Sequence, residues 1–119
     1  MSVQGEQIPE AKFEGLAERT LATMVEALAS MEEESMDADL ESGVLTIAFD
    51  DGTRFVVNSH RAARQIWMAA NARAWHFDWE DVDGGVWKSS KDGAELWSLL
   101  ESHLGAKLHR TVCLRPPTT

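Results

Sequence analysis

The spacing of apolar residues changes twice along this chain, and those two changes leave few folds open. Phe13, Leu16, Ala17, Thr20, Met24, Ala27, Leu28 and Met31 recur at intervals of three and four. At ~100° per residue they fall within a stripe of about 120°, which describes a helix with one buried face. Pro9 suits its first helical position. From residue 35 the period drops to two: Met36, Ala38 and Leu40 alternate with Ser35, Asp37, Asp39 and Glu41, a strand with an acidic outer row. Ser42-Gly43, Asp50-Asp51-Gly52 and Asp83-Gly84-Gly85 are turn signals. They divide the middle of the chain into strands expected at 44–49, 53–58, 64–69, 75–79 and 86–88. Strands joined by short turns are antiparallel, because a parallel return needs a crossover of about a dozen residues or more. The helical period then comes back. Asp92, with Glu95 as its capping-box partner, opens a helix whose apolar face is Leu96, Leu99, Leu100, His103 and Leu104, and Gly105 is its expected stop.

Two helices with one apolar face each can cover only one side of such a sheet. The expected fold is α+β: a two-layer sandwich, two terminal helices packed on one face of a five- to six-stranded antiparallel sheet. Its 119 residues make one domain, expected at 10–114, with flexible ends at 1–9 and 115–119. Val112 and Leu114, two apart in the tail, are expected to pack between the helices, with Cys113 as inert packing in a tail strand. The second face of the sheet must meet water or a partner. Alternation that turns Phe55, Val57, Ile66 and Met68 toward the helices puts Asn58, Gln65 and Trp67 on that open side. A Trp beside polar amides on an uncovered sheet is an interface signature. The opposite orientation buries Trp67 but exposes Ile66 and Met68. Trp75, Phe77, Trp79, Trp87 and Trp97 are expected in the core or in grooves.

Charge is distributed unevenly. Of 20 acidic side chains, eleven lie in residues 1–41 against only Lys12 and Arg19, and the rest of the chain is balanced, so the whole net charge of −9 sits in the first third. Such a field attracts cations and basic surfaces and repels nucleic acid. A single cysteine, Cys113, excludes an internal disulfide and a Cys-rich metal cage. No apolar run approaches the roughly 18 residues of a membrane span. The first ten residues lack the features of a signal or transit peptide. A cytoplasmic protein with neither nucleic-acid nor membrane partners is expected.

Asp37 and Asp39 stand two apart on one strand face, with Glu32-Glu33-Glu34 leading into them. Clustered carboxylates without imidazole or thiolate are hard oxygen ligands, suited to Mg²⁺, Ca²⁺, Mn²⁺ or iron in shallow, hydrated sites. They are also a solvated face that confers solubility, and on the residues alone that is the favoured reading of the two. His60, His76, His103 and His109 show no metal-site spacing and are expected at the surface or on helix flanks. No nucleophile with its base, and no phosphate loop, stands out.

Gly43-Val44-Leu45-Thr46-Ile47, then Val57-Asn58 followed by Gln65-Ile66-Trp67-Met68-Ala69, then His76-Phe77-Asp78, with Trp87 ahead of the second helix, resemble the frataxin family in its bacterial CyaY branch. The likeness runs from about Phe13 to Leu114. It implies an α–β sandwich and an iron-binding, non-enzymatic adaptor or regulator of iron–sulfur cluster assembly. It also implies Fe²⁺ and Fe³⁺ bound weakly through Glu26, Glu32, Glu33, Glu34, Asp37 and Asp39. The implied partners are the cysteine desulfurase and the scaffold protein, met through Asn58, Gln65 and Trp67 by a monomer that can oligomerise with iron. The alternative class is a ferroxidase or iron-storage protein, oxidising and mineralising iron in oligomers. Two departures stand out: Val25, Ala29 and Ser30 occupy late helical turns where the family is usually acidic, and the segment after Asn58 lacks the family's common proline.

Overall fold

In a computed structural model of the chain, residues 8–82 and 84–114 are described. The order is α1 (Glu10–Ser30), β1 (Met36–Glu41), β2 (Val44–Phe49), β3 (Arg54–His60), a 3₁₀ turn (Arg61–Ala63), β4 (Gln65–Ala70), β5 (Arg73–Glu80), β6 (Val86–Ser89) and α2 (Leu96–Leu108). The six strands pair in sequence order, every pair antiparallel. Both helices lie on one face, as the change of period predicts. Apart from Ile8 and Pro9, the ends expected to be flexible lie outside the described residues; Ile8 packs against the core.

The core is the inward row of each strand against one stripe of each helix. Leu45, Ile47, Phe55, Val57, Ile66, Met68, Phe77 and Trp87 are buried beneath Phe13, Ala17, Leu21, Met24 and Leu28 of α1 and Leu96, Leu100 and Leu104 of α2. The expected α1 stripe contained Thr20 and omitted Leu21, yet Leu21 is 1% exposed. Thr20 sits at the stripe's margin, where its hydroxyl donates to the Leu16 carbonyl at 2.8 Å and accepts from the Trp87 indole at 3.0 Å. Trp87 meets Phe13 and Trp79 edge to face, an arrangement that aromatic quadrupoles favour. Trp75 is also core, whereas Trp79 and Trp97 are only partly buried against it.

Pro9 and the second helix differ in detail from expectation. Pro9 is the residue before α1, not its first turn; its carbonyl accepts from Phe13 N–H at 2.9 Å. Glu95, not Asp92, caps α2, accepting from the backbone N–H groups of Trp97 and Ser98. The cause is tertiary. The backbone of Glu95 pairs with that of Lys88 as an isolated antiparallel β-bridge, and Ser89 N–H donates to the Ala94 carbonyl, so after the turn at 90–92 the chain lies extended against β6 until it has passed Glu95. Asp92 closes the turn before that, its carboxylate accepting from Ala94 N–H at 3.1 Å, a contact that lowers its pKa together with the Ser89 hydroxyl.

Gly105 is not the stop either. The helix runs to Leu108 and ends at His109, which takes a left-handed backbone (φ 58). The need for glycine at 105 comes from the tail: a Cβ there would stand 2.8 Å from the Arg110 carbonyl oxygen. Tail residues 110–114 turn back along α2 and form no strand. Arg110 pairs with Glu33 at 3.4 Å, Leu114 N–H donates to the Glu101 carboxylate at 2.8 Å, and Val112 and Leu114 are buried, with Cys113 between them exposed. Lys107 ties α2 to the β2–β3 hairpin through Asp51 and Thr53 and lies over the Phe49 ring. Its ammonium, with the Thr53 groups, holds the Asp51 carboxyl well below the usual carboxylate range.

His103 faces the sheet from α2, its ring edge-on to Phe55 and Trp75, and its Nδ1 lies 3.1 Å from the Asn71 amide. Burial, then the Arg73 charge, lowers its pKa. A base whose pKa is lowered on folding contributes stability that is present above its unfolded value, about 6.5, and lost as pH falls through the folded value. The melting temperature is therefore expected to drop between about pH 7 and pH 5, and His103→Gln to flatten that part of the profile; an unchanged profile in the variant would assign the acid sensitivity elsewhere.

Candidate functional site

Strand register determines what the uncovered face presents. Residues paired across antiparallel strands share a face, so the register aligns Glu41, Val44, Asn58, Trp67 and His76 in one row across five strands. His60, Gln65, Asp78 and Lys88 form a second row. Asp39, Thr46, Val56, Ala69 and Ala74 form a third. Ile66 and Met68 are buried on the helix side, so the alternation that turns Trp67 outward holds.

Asn58, Gln65 and Trp67 are brought together. Asn58 is the register partner of Trp67. The Trp67 indole N–H donates to Gln65 Oε1 at 2.8 Å, and Gln65 Nε2 donates to Asp78 Oδ1 at 3.1 Å. Asn58 itself donates to the Ser59 carbonyl. Trp67 is not a loose ring on a flat sheet. His60 stacks on it at 3.9 Å with the planes 9° apart, and His76 stacks at 4.2 Å and 14°. The strands carrying the two imidazoles flank β4, so both faces of the indole are covered and its edge is what points outward. His60 Nδ1 is shielded from solvent without a hydrogen-bond partner. Beyond His60, Arg61 pairs with Glu14 at 3.0 Å and Glu10 at 3.5 Å, and Arg64 lies 3.8 Å from Glu10.

The acidic edge divides into two parts. Asp37, Asp39 and Glu41 alternate outward on β1 while Met36, Ala38 and Leu40 pack against the core. These three carboxylates therefore belong to the same open face as Trp67: Glu41 lies in its row about 14 Å away across three strand spacings, and Asp39 and Asp37 lie farther along β1. Glu32, Glu33 and Glu34 lie in the α1–β1 connection, Glu32 with a left-handed backbone (φ 54). Glu33 is occupied by Arg110 and by the Ser35 hydroxyl at 2.8 Å. Glu26 is exposed on α1, apart from the β1 row. Among the described residues, no three His, Cys, Asp or Glu side chains converge as a ready-made metal cage. Exposed carboxylates spread along an edge can hold a hydrated cation only weakly.

The sequence reading missed the ring column. It ended the third strand at Asn58, whereas β3 continues through His60 and brings that ring onto the open face. The signal for His76 was available: once β4 and β5 are joined through the Asn71-Ala72 turn, alternation places His76 opposite Trp67.

This architecture and sequence are shared with known proteins. A family model for the frataxin-like domain matches residues 6–110. The iron–sulfur cluster assembly protein CyaY of Dechloromonas aromatica (strain RCB) is 37% identical over 111 residues, covering 89% of this chain and 98% of that protein. A solved structure of frataxin from Psychromonas ingrahamii superposes with a TM-score of 0.81 at 21% identity, covering 92% of this chain and 100% of that one, a likeness of fold. On the matched domain and the 37% identical relative, the chain belongs to the frataxin family.

Proposed function

We propose that this protein is an iron-binding, non-enzymatic adaptor of iron–sulfur cluster assembly in the cytoplasm, docking on the cysteine desulfurase and its scaffold. What carries this is the uncovered sheet face of a frataxin-family chain: Trp67, fixed by Gln65 and two stacked imidazoles, shares a surface with the β1 carboxylates. An anchored aromatic within a polar surround is the kind of group that dominates binding energy at interfaces. Charge along β1 would attract a basic partner and speed encounter. Among the described residues, no helix is long and apolar enough to cross a membrane.

Iron is the cargo, held by Glu26, Glu32, Glu33, Glu34, Asp37 and Asp39 as hard oxygen donors. Glu33 binds it only in competition with Arg110. Titrating the isotope-labelled protein with Fe²⁺ without oxygen, or with Co²⁺, is expected to broaden amide signals of residues 26–41, with those paired to them on β2, and to leave those of Ile66 and Phe77, three and four strand spacings away, sharp. Because ligation competes with protons and the carboxylates are exposed, affinity falls with acid and with salt. Broadening centred on His76 or His103 would move the metal site elsewhere, and oxygen consumed in step with added Fe²⁺ would turn the assignment to a ferroxidase.

A further inference from the structure

The column of His60, Trp67 and His76 gives the open face a feature that docking by Trp67 alone does not require. Histidine is the side chain whose charge ordinarily changes between about pH 5 and 8, and here two of them touch the two faces of the anchor. We propose that His60 and His76 make the docking face acid-releasable: neutral, they hold Trp67 for a partner with a basic contact surface; protonated, they place two positive charges inside the footprint and repel it. This rests on the docking role proposed above and specifies its regulation.

The basic character of the occupant follows from charge on the face. Strand alternation turns Asp37, Asp39, Glu41, Asp78 and Glu80 outward with only Arg54 and Lys88 to offset them. Two imidazolium charges would cancel two-thirds of that excess. Among the described residues, neither ring is ion-paired with a carboxylate. Next to His60, Arg61 and Arg64 are engaged with Glu10 and Glu14 of α1, and its β4 neighbour is the neutral Gln65. Next to His76 are Trp67 on β4 and, one step along β5, Asp78, which receives the Gln65 amide and is paired in register with Lys88 of β6. Neither imidazole has a carboxylate as its stacking or register partner, so a proton added to either is felt by whatever docks.

The clamp and the charge make one prediction. Both imidazoles stay stacked when protonated, since a cation over an aromatic face is attracted to it, so release comes through the partner's charge and not through loss of the anchor. The test is the affinity of the desulfurase–scaffold complex for the wild-type chain and for His60→Gln/His76→Gln, at about pH 8 and about pH 6 at constant ionic strength. Wild-type affinity is expected to fall about five- to tenfold on acidification, as two charges opposite a basic surface require. In the double variant the same fall should be about twofold at most, the remainder belonging to groups on the partner. Should the double variant fold poorly, His76→Gln alone, at an exposed position, is expected to remove about half of the pH effect. An equal fall in wild type and variants, or no fall in wild type, overturns the gate while leaving docking intact. Absence of binding at both pH values overturns docking itself, and the gate with it.

Discussion

Ending the chain at Arg110 is expected to cost the domain about 3–5 kcal/mol, mostly through Val112 and Leu114, whose burial is worth about 1.5–3 kcal/mol each. Both are nearly enclosed, 9% and 7% exposed, although they lie in a segment with no helix or strand of its own. The cut also leaves Glu101 without the Leu114 N–H it accepts, while Arg110 and the His109 helix stop remain. A domain of this size is stable by about 5–15 kcal/mol, so the truncated protein should be marginal, with a melting temperature lower by roughly 15–25 °C. Leu114→Ala alone is expected to cost about 2–3 kcal/mol, the usual range for opening a partly collapsible cavity. If the truncated protein melts at the full-length temperature, the tail is not part of the core.

The helix–strands–helix order was legible because each element carries its own apolar period, and turn signals at Ser42-Gly43 and Asp50-Asp51-Gly52 mark the hairpins. What was not legible is what neighbours decide. Glu95 became the cap because β6 holds the chain extended up to that residue. Gly105 looked like a stop on local grounds, but it is a close-approach position for the tail, which no local rule sees. Leu21 is absent from the expected stripe because Thr20, one residue before it, fits the margin of the same face, where the Trp87 indole claims its hydroxyl.

On the open face, alternation alone was enough to turn Asn58, Gln65 and Trp67 outward together. It could not show that Trp67 is clamped, because stacking across three strands depends on register, and register depends on exact strand ends. Nor could it show that the acidic residues split between β1, where Asp37, Asp39 and Glu41 share the Trp67 face, and the α1–β1 connection, where Glu33 is tied to Arg110.

Trp67→Ala is expected to weaken docking by about 2–3 kcal/mol, roughly 30- to 150-fold, as removal of a central aromatic anchor does. The loss should lie in faster dissociation, because local contacts change how long a complex lasts more than how often it forms. The domain itself should lose only about 1 kcal/mol, the worth of stacked aromatic pairs on a half-buried ring. Neutralising Asp37, Asp39 and Glu41 to Asn, Asn and Gln should do the opposite: slow association and flatten its salt dependence, with dissociation little changed. The direct measurement is association and dissociation of the desulfurase–scaffold complex with these two variants and the wild type across a salt series, beside their melting temperatures. Faster dissociation for Trp67→Ala and a flattened salt slope for the carboxylate variant, both in folded proteins, is the result expected of one docking face with an anchor and a steering edge. A Trp67→Ala protein that unfolds, alongside a carboxylate variant that binds as wild type does, would contradict it.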